Sequence, residues 1–463
     1  MKVLGIVAEY NPFHNGHIYH IEKSRELTGC DAVVCVMSGN FIQRGEPSLI
    51  NKFSRAEMAL NSGADLVIEL PHPYAMASAE AFAYGAVKIL NSIGIVDFIS
   101  FGSEHGNTDA LDFIAGILTS EPQEYRLELK KQLEQGQSYA VSRQKALEKY
   151  LQTNSNLVST NSGFISSSVF KSRGCEAAEQ SPACNITRDM AQLLETSNNI
   201  LGIEYLKALK RLDSSIKPFT ITRVSNAYNS TELTGSISSA TAIRNSIFIN
   251  KDNLCTIDNS SCGIEPATLS QSAMAALPQS SQAILDKEFS SGRGPIGIKS
   301  YDDMIMGLVR RTKPEQLRDL PDVSEGLEYR IKTASENSGT LEDLIDNICT
   351  KRYAQTRIQR ILSSLLTGLS KTENEVFMEF GGPQYARILG FNNTGRQLLS
   401  RMKKSSELPV IMKAADFKSS CNKLLARMLE IEAFSTDMYV LGYQNSLWRK
   451  SGQEYTQNIV IKK

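Results

Sequence analysis

Residues 3–17 read VLGIVAEYNPFHNGH, and how this stretch is read decides the fold. VLGIVA is a continuous apolar run. Such a run, without polar alternation, marks a strand with both faces covered, as in a parallel sheet. EYNPFHNGH follows, with Asn-Pro and Asn-Gly as turn punctuation. The next stretch, GHIYHIEKSREL, has helical spacing. The order is therefore strand, tight loop with two histidines around Asn-Gly, helix. That placement suits a phosphate-handling loop, a metal site, or a plain turn.

The same alternation continues outward. DAVVCVMS, ADLVIEL and DFISFGS read as strands. KFSRAEMALNSG, closed by Gly63, and SAEAFAYGAVKILNSIG read as helices between them. The pattern predicts an α/β fold, a Rossmann-like doubly wound parallel sheet. Ligands of such sheets bind at the carboxyl ends of the strands. The loops EYNPFHNGH (9–17), SGNFIQRGEP (38–47) and GSEHGN (102–107) all fall at that edge. Residues 107–150 read as helical, and 152–187 as an irregular Ser/Asn-rich excursion. NILGIEYLKALKRL is a helix, PFTITRV a strand, and SISSATAIRNSIF a helix capped by Ser238 or Ser239. The expected organisation is a catalytic unit over 1–250, a connecting segment over 251–299, and a basic, mostly helical unit over 300–463.

The 463 residues exceed the usual size of one domain, and 41% hydrophobic with 22% charged residues is ordinary for a globular core. The most apolar window, 81–102, is broken by Lys88, Asn91 and Asp97, which excludes it as a membrane span. The first apolar run meets Glu9 before a secretory h-region can form. These features lead to the expectation of a cytoplasmic location without membrane contact. The eight cysteines include no C-x-x-C pair, which favours reduced structural thiols over zinc. The net charge of zero hides an asymmetry: residues 351–463 carry 18 Lys and Arg against 9 Asp and Glu. A basic third points to a polyanion such as nucleic acid, or to a solvated face.

The chemistry concentrates in HNGH. Gly16 allows close approach of backbone to a ligand, and the helix start that follows favours anions. Imidazole donors at His14 and His17 suit the charge that develops when an α-phosphate is attacked and pyrophosphate leaves. His14, His17 and His20, spaced by three, would suit a metal if helical. Pro12 and Gly16 argue against helix there, and no carboxylate or Cys joins the run, so no metal site is expected.

H-x-G-H after a first strand resembles the nucleotidyltransferase superfamily. The strings GIVAEYNPFHNGHIYHI, MSGNFIQRGEPSLINKFSRAEMAL, GADLVIELP, FGSE, NNILGIEYLKAL and ISSATAIR together resemble the bacterial tRNA(Met) cytidine acetate ligase family. LEYRIKTASE, KRYAQTRIQRIL and RILGFNNTGRQLL extend the resemblance into the second half. It implies ATP-dependent ligation of acetate to N4 of the wobble cytidine (C34) of elongator tRNA(Met), through acetyl-adenylate. ATP is then a substrate, together with Mg2+. The resemblance places ATP along Ile6, Val7, Ala8, Glu9, Tyr10, Asn11, Pro12, Phe13, His14, Asn15, Gly16, His17, Ile18, Tyr19 and His20. Gly102, Asn198, Asn199 and Arg223 complete the nucleotide contacts, with Ser239 and Arg244 in the second phosphate motif.

Three features are less settled. Asn40, Gln43, Arg44 and Glu46 are too polar for a mere turn. Arg44 is expected to meet acetate or the incoming cytidine, or else to pair with Glu46 or Glu69. KRYAQTRIQR carries Lys351, Arg352, Arg357 and Arg360 without a negative charge, and is read as a tRNA-phosphate contact against a solvated helix face. RMKKSS (401–406) reads as a basic surface segment. The chain departs from the family at Val141–Ser142, where Pro-Ala precedes the arginine matching Arg143, and in a longer Ser/Asn-rich stretch. Two other readings remain: a small-molecule adenylyltransferase, and a non-catalytic nucleotide-sensing RNA-binding protein.

Overall fold

The computed structural model describes residues 1–154, 156–157, 182–223, 238–255, 268–324, 326–417 and 420–463. The excursion expected at 152–187 and part of the connecting segment, 256–267, lie largely outside them. Five strands alternate with helices over the first 222 residues: β1 Val3–Ala8, β2 Ala32–Ser38, β3 Leu66–Leu70, β4 Phe98–Ser103 and β5 Lys217–Thr222. Successive side chains of these strands enter two different cores. Leu4, Ile6, Val33, Cys35 and Met37 pack with the helices Lys52–Asn61 and Gln279–Ser290. Val3, Val34, Val36, Leu66 and Ile68 pack with the helices Ala79–Ser92, Thr108–Ser120 and Ser197–Arg211. Both faces are covered, which is why the strands read as unbroken apolar runs.

The strand order is β5-β4-β1-β2-β3-β6-β7, with β6 over Ala386–Phe391 and β7 over Val410–Ile411. β1 pairs in parallel with β2 on one side (Val3↔Ala32) and with β4 on the other (Leu4↔Phe98). The order reverses between β1 and β4. Loops leaving two such neighbours diverge and open a crevice at their carboxyl ends. The loops carrying HNGH and GSEHGN are the two that leave β1 and β4.

The sheet does not stop at residue 250. β6 (Ala386–Phe391) lies antiparallel to β3, with Glu69 opposite Arg387, and β7 (Val410–Ile411) and β8 (Val460–Ile461) pair in parallel with β6. The doubly wound parallel sheet of the sequence reading is present, extended by β6 to β8 into a mostly parallel, mixed sheet of eight strands. RILGF is too short to show a period, and its strand character depends on the open edge of β3. The neighbouring NTGRQLL belongs to the helix Asn393–Ser405, and helices also fill most of 302–379.

The last third is tied to the sheet by a buried ionic cluster. Lys52 Nζ lies 2.6 Å from Glu69, 3.0 Å from Glu432 and 2.7 Å from Glu454, and all four side chains are fully buried. Arg387 Nη1 is 2.9 Å from the other oxygen of Glu454.

Candidate active site

The helix Asn15–Thr28 begins at Asn15, so Gly16 sits inside its first turn rather than keeping that turn open as expected. His14 is the N-cap. Its Nδ1 accepts from the amide of Gly16 at 3.1 Å, and His17 Nδ1 accepts from the amide of His14 at 3.1 Å. An accepting nitrogen bears no proton, so each neutral ring carries its proton on Nε2. Burial, then the positive fields of Arg223 and Arg244, push the His14 imidazolium down to about 3. Burial, then His14 and Arg223, lower His17 well below the usual range. Both rings are therefore neutral Nε2–H donors at neutral pH. They stack with centroids 3.7 Å apart, and Tyr10 (4.8 Å) and Phe13 (5.2 Å) hold His17 from the side.

The crevice has two lobes that share His14, His17, His20, Gly102 and Arg223. One lobe is lined by Ile6, Val7, Ala8, Glu9, Tyr10, Asn11, Asn198, Ser239 and Arg244, with Gln43, Arg44, Phe82, Phe101, Leu201, Tyr205 and Thr241. The other is lined by Gly16, Tyr19, Ile221, Thr222 and Ser238. Five expected nucleotide contacts line neither lobe: Pro12, Phe13, Asn15, Ile18 and Asn199. Phe13 is in the core and Ile18 packs against it. Asn15 donates to the carbonyl of Ala275 at 3.0 Å, which pins the loop from outside. Pro12 is buried. Asn199 Oδ1 accepts from the amides of Glu104 (3.0 Å) and His105 (3.3 Å), so it shapes the loop after β4 instead of facing the crevice.

The two arginines are held in place by neighbours. Asn198 donates to Glu104 (2.6 Å) and accepts from Arg223 Nη1 (3.0 Å), so the FGSE carboxylate orients Arg223 through an amide. Glu104 was not singled out in the sequence, and its three partners Thr196, Asn198 and Asn199 are about ninety residues away. Ser239 is the residue that caps its helix, accepting from Ala242 N at 3.1 Å. Arg244, one turn in, donates to the carbonyl of Asn11 at 2.9 Å and lies 3.5 Å from Glu46. It lines the crevice and is largely buried there. His20 binds Ser100 Oγ at 2.9 Å, and burial, then Arg223, lower it to about 4.

Arg44 lines the same lobe as His14. Its loop is seated on the helix Gln355–Thr367: Ser363 Oγ donates to Gly45 O at 2.7 Å. Gly45 has φ +78, and a side chain there would overlap the backbone of Gln359 and Arg360. Glu69, one alternative partner weighed for Arg44, pairs with Lys52 in the buried cluster. From the other side, fully buried Arg55 donates to the carbonyls of Glu9 (2.5 Å), Ser38 (3.1 Å) and Gly39, which ties the ends of β1 and β2 together.

The four cations of KRYAQTRIQR separate. Lys351 and Arg352 are exposed. Arg357 donates to Asp322 O and Ser324 Oγ, and Arg360 Nε lies 2.6 Å from Asp322 Oδ2. The latter two serve the fold locally. Among the described residues no group of three or more His, Cys, Asp or Glu is arranged to hold a metal ion, and no helix is long and apolar enough to cross a membrane.

A family model described as HIGH Nucleotidyl Transferase matches residues 1–454. The tRNA(Met) cytidine acetate ligase of Acetivibrio thermocellus is 49% identical over 461 residues, covering 100% of both chains. The chain belongs to the tRNA(Met) cytidine acetate ligase family of HIGH nucleotidyl transferases. A second ligase so named, from Thermoanaerobacter sp., is 42% identical over 446 residues and 96% of each chain. Among solved structures, Thermotoga maritima TmcAL bound with alpha-thio ATP matches with a TM-score of 0.83 and 31% identity, over 100% of this chain and 99% of that one. Its apo form matches with a TM-score of 0.85. The family model thus takes in β6 and β7, and β8 lies beyond it, within the length that the relatives match.

Proposed function

We propose that this chain adenylates acetate with ATP and transfers the acetyl group to N4 of the wobble cytidine (C34) of elongator tRNA(Met). The observation that carries the reading is the pair of neutral Nε2–H imidazoles at a helix start, set with Arg223 where the two lobes meet. The α-phosphate belongs at that junction. The nucleoside lies in the lobe of Gly16, Tyr19 and Thr222, and the acyl group in the lobe of Gln43 and Arg44. An acetate oxygen attacks the α-phosphorus, the bond to the bridging oxygen breaks, and pyrophosphate leaves. His14 and His17 donate to the phosphoryl oxygens as charge builds, and Arg223 and Arg244 hold the polyphosphate. Mg2+ would be carried on the triphosphate oxygens and neutralise part of their charge. A tRNA substrate places the reaction in the cytoplasm.

Arg44 is assigned to the acetate carboxylate. Arg44→Ala should raise the acetate KM by about 10- to 100-fold, the value of one charge-assisted hydrogen bond, with a smaller change for ATP. Equal effects on both would remove the assignment. The overall reading is tested by acetate- and tRNA-dependent release of AMP and pyrophosphate from ATP. Turnover with a pyridine or pantetheine phosphate instead would mark a small-molecule adenylyltransferase, and no turnover a non-catalytic binder.

Lys351 and Arg352 are assigned to tRNA phosphates. The double variant Lys351→Glu/Arg352→Glu should weaken tRNA binding and flatten its logarithmic salt dependence by about 1.5–2 units. Acetate-dependent ATP–pyrophosphate exchange should be unchanged. An unaltered salt slope would locate the tRNA surface elsewhere.

A further inference from the structure

The second half-reaction needs a group that the histidines do not supply. The N4 amine of cytidine is a weak nucleophile, because its lone pair is delocalised into the ring. As N4 bonds to the acetyl carbonyl carbon, it must lose a proton. His14 and His17 already carry theirs on Nε2, and their Nδ1 atoms are occupied by backbone amides.

Among the described residues, one carboxylate lines the acyl lobe beside Arg44: Glu9, the first residue beyond β1. It is absent from the nucleoside lobe. Its position is fixed from two sides. Glu9 Oε1 accepts from the amide of Gln43 at 2.9 Å, and its own carbonyl accepts from Arg55 at 2.5 Å. From its place in the acyl lobe, and resting on the ligase reading above, we infer that Glu9 is the general base that takes the N4 proton during acetyl transfer. N4–C bond formation is matched by cleavage of the bond between the acetyl carbon and the phosphoryl oxygen. AMP leaves with the electron pair, and the proton passes from N4 to the Glu9 carboxylate and then to solvent.

The surroundings suit a base rather than a permanent counter-ion. Burial raises the Glu9 carboxyl above the ordinary value, opposed by the Gln43 amide and then by the charges of Arg244, Arg44 and Arg55. Arg44 comes from the loop after β2, Arg55 from the helix Lys52–Asn61 and Arg244 from the helix starting at Ala240. Tyr205 faces Glu9 from the helix Ser197–Arg211 and is itself pushed far up by burial, so it stays a neutral phenol. Arg55 and Tyr205 keep their charge states between weak acid and neutrality. A base of raised proton affinity accepts a proton better than an ordinary carboxylate does.

Glu9→Gln tests this, because the amide oxygen still accepts from Gln43 N and only the base is lost. The two half-reactions are read separately on the full chain. Because Glu9 also lines the nucleotide crevice, acetate-dependent ATP–pyrophosphate exchange serves as the reference, and its loss should be at least about tenfold smaller than the loss in transfer. Single-turnover transfer from preformed acetyl-adenylate to tRNA should slow by about 10² or more. In wild type that transfer should fall off on the acid side, and in Glu9→Gln the fall tied to this carboxylate should vanish. Transfer within tenfold of wild type, a parallel fall in exchange, or an unchanged pH profile would each overturn the assignment. Failure of the ligase reading shows elsewhere: the wild-type chain would then lack acetate-dependent exchange, and the role of Glu9 would fall with it.

Discussion

His14→Asn should slow acetate-dependent ATP–pyrophosphate exchange by about 10²–10³, the usual effect of removing one preorganised donor from a developing oxyanion. The substitution isolates chemistry from folding. His14 serves two ends at once: Nδ1 caps the helix Asn15–Thr28, and Nε2–H faces the crevice. Asn is among the best N-cap residues, and its side-chain oxygen can accept from Gly16 N as Nδ1 does. It is too short to present a second donor where Nε2 stands. Stability should therefore change by less than about 1 kcal/mol while the rate collapses. The expected signature is a fall in kcat with little change in the ATP KM, since the lost bond strengthens only as charge builds on the phosphoryl group. The measurement is exchange kinetics beside a thermal melt. A rate loss that scales with a lowered Tm would mean that His14 acts only as a cap.

Much of this site was legible in the sequence because its parts are local. The loop EYNPFHNGH follows its strand directly, and the strand is recognisable because helices cover both faces of the sheet. Gly102 comes with the resemblance and sits at a strand end, and the helix start offers Ser238 or Ser239, of which the structure makes Ser239 the cap. What stayed hidden is what depends on burial or distant pairing. KFSRAEMAL reads as a helix, and nothing in its sequence shows that Lys52 and Arg55 are fully buried. No pattern in ten residues reveals that Glu432 and Glu454 receive Lys52, or that carbonyls at the ends of β1 and β2 receive Arg55. The strand at Ala386–Phe391 needed the edge of β3, more than three hundred residues away. The charge run KRYAQTRIQR looks uniform, but Asp322 accounts for Arg357 and Arg360 and leaves Lys351 and Arg352 at the surface. Composition sees charge, whereas only the fold decides which charges face water.

The buried cluster carries the largest effect expected on stability. Lys52→Met should destabilise the protein by about 3–5 kcal/mol, because it leaves Glu69, Glu432 and Glu454 in a dry interior without their shared cation. The charges within the cluster make a sharper comparison possible. Two cations, Lys52 and Arg387, face three carboxylates, one negative charge too many for a site without exposure. Burial, and then repulsion by Glu432, raise Glu69 well above the carboxylate range. Glu432 shares that burial, but Lys52, His72, a hydrogen bond from Glu69 and the amide of His72 bring it down to about 2. Glu454 bridges both cations, with Lys52 at 2.7 Å on one oxygen and Arg387 at 2.9 Å on the other. These opposite directions assign the odd proton to Glu69, and comparing Glu69→Gln with Glu454→Gln tests that assignment. Glu69→Gln replaces a neutral acid by a neutral amide that can still donate, and should cost less than about 1 kcal/mol. Glu454→Gln removes a charge that two cations need, and should cost about 3 kcal/mol or more. Urea unfolding of the three variants checks the order. Equal losses for Glu69→Gln and Glu454→Gln would mean that the proton is not held on Glu69. The order matters beyond stability, because the same cluster anchors Asn40. Asn40 binds Lys52 N at 2.9 Å and Thr436 at 3.1 Å, at the root of the loop that carries Gln43 and Arg44 into the crevice. A weakened cluster should thus loosen the acetate side before the phosphate side. In partly destabilised variants, the acetate KM should rise while the ATP KM holds.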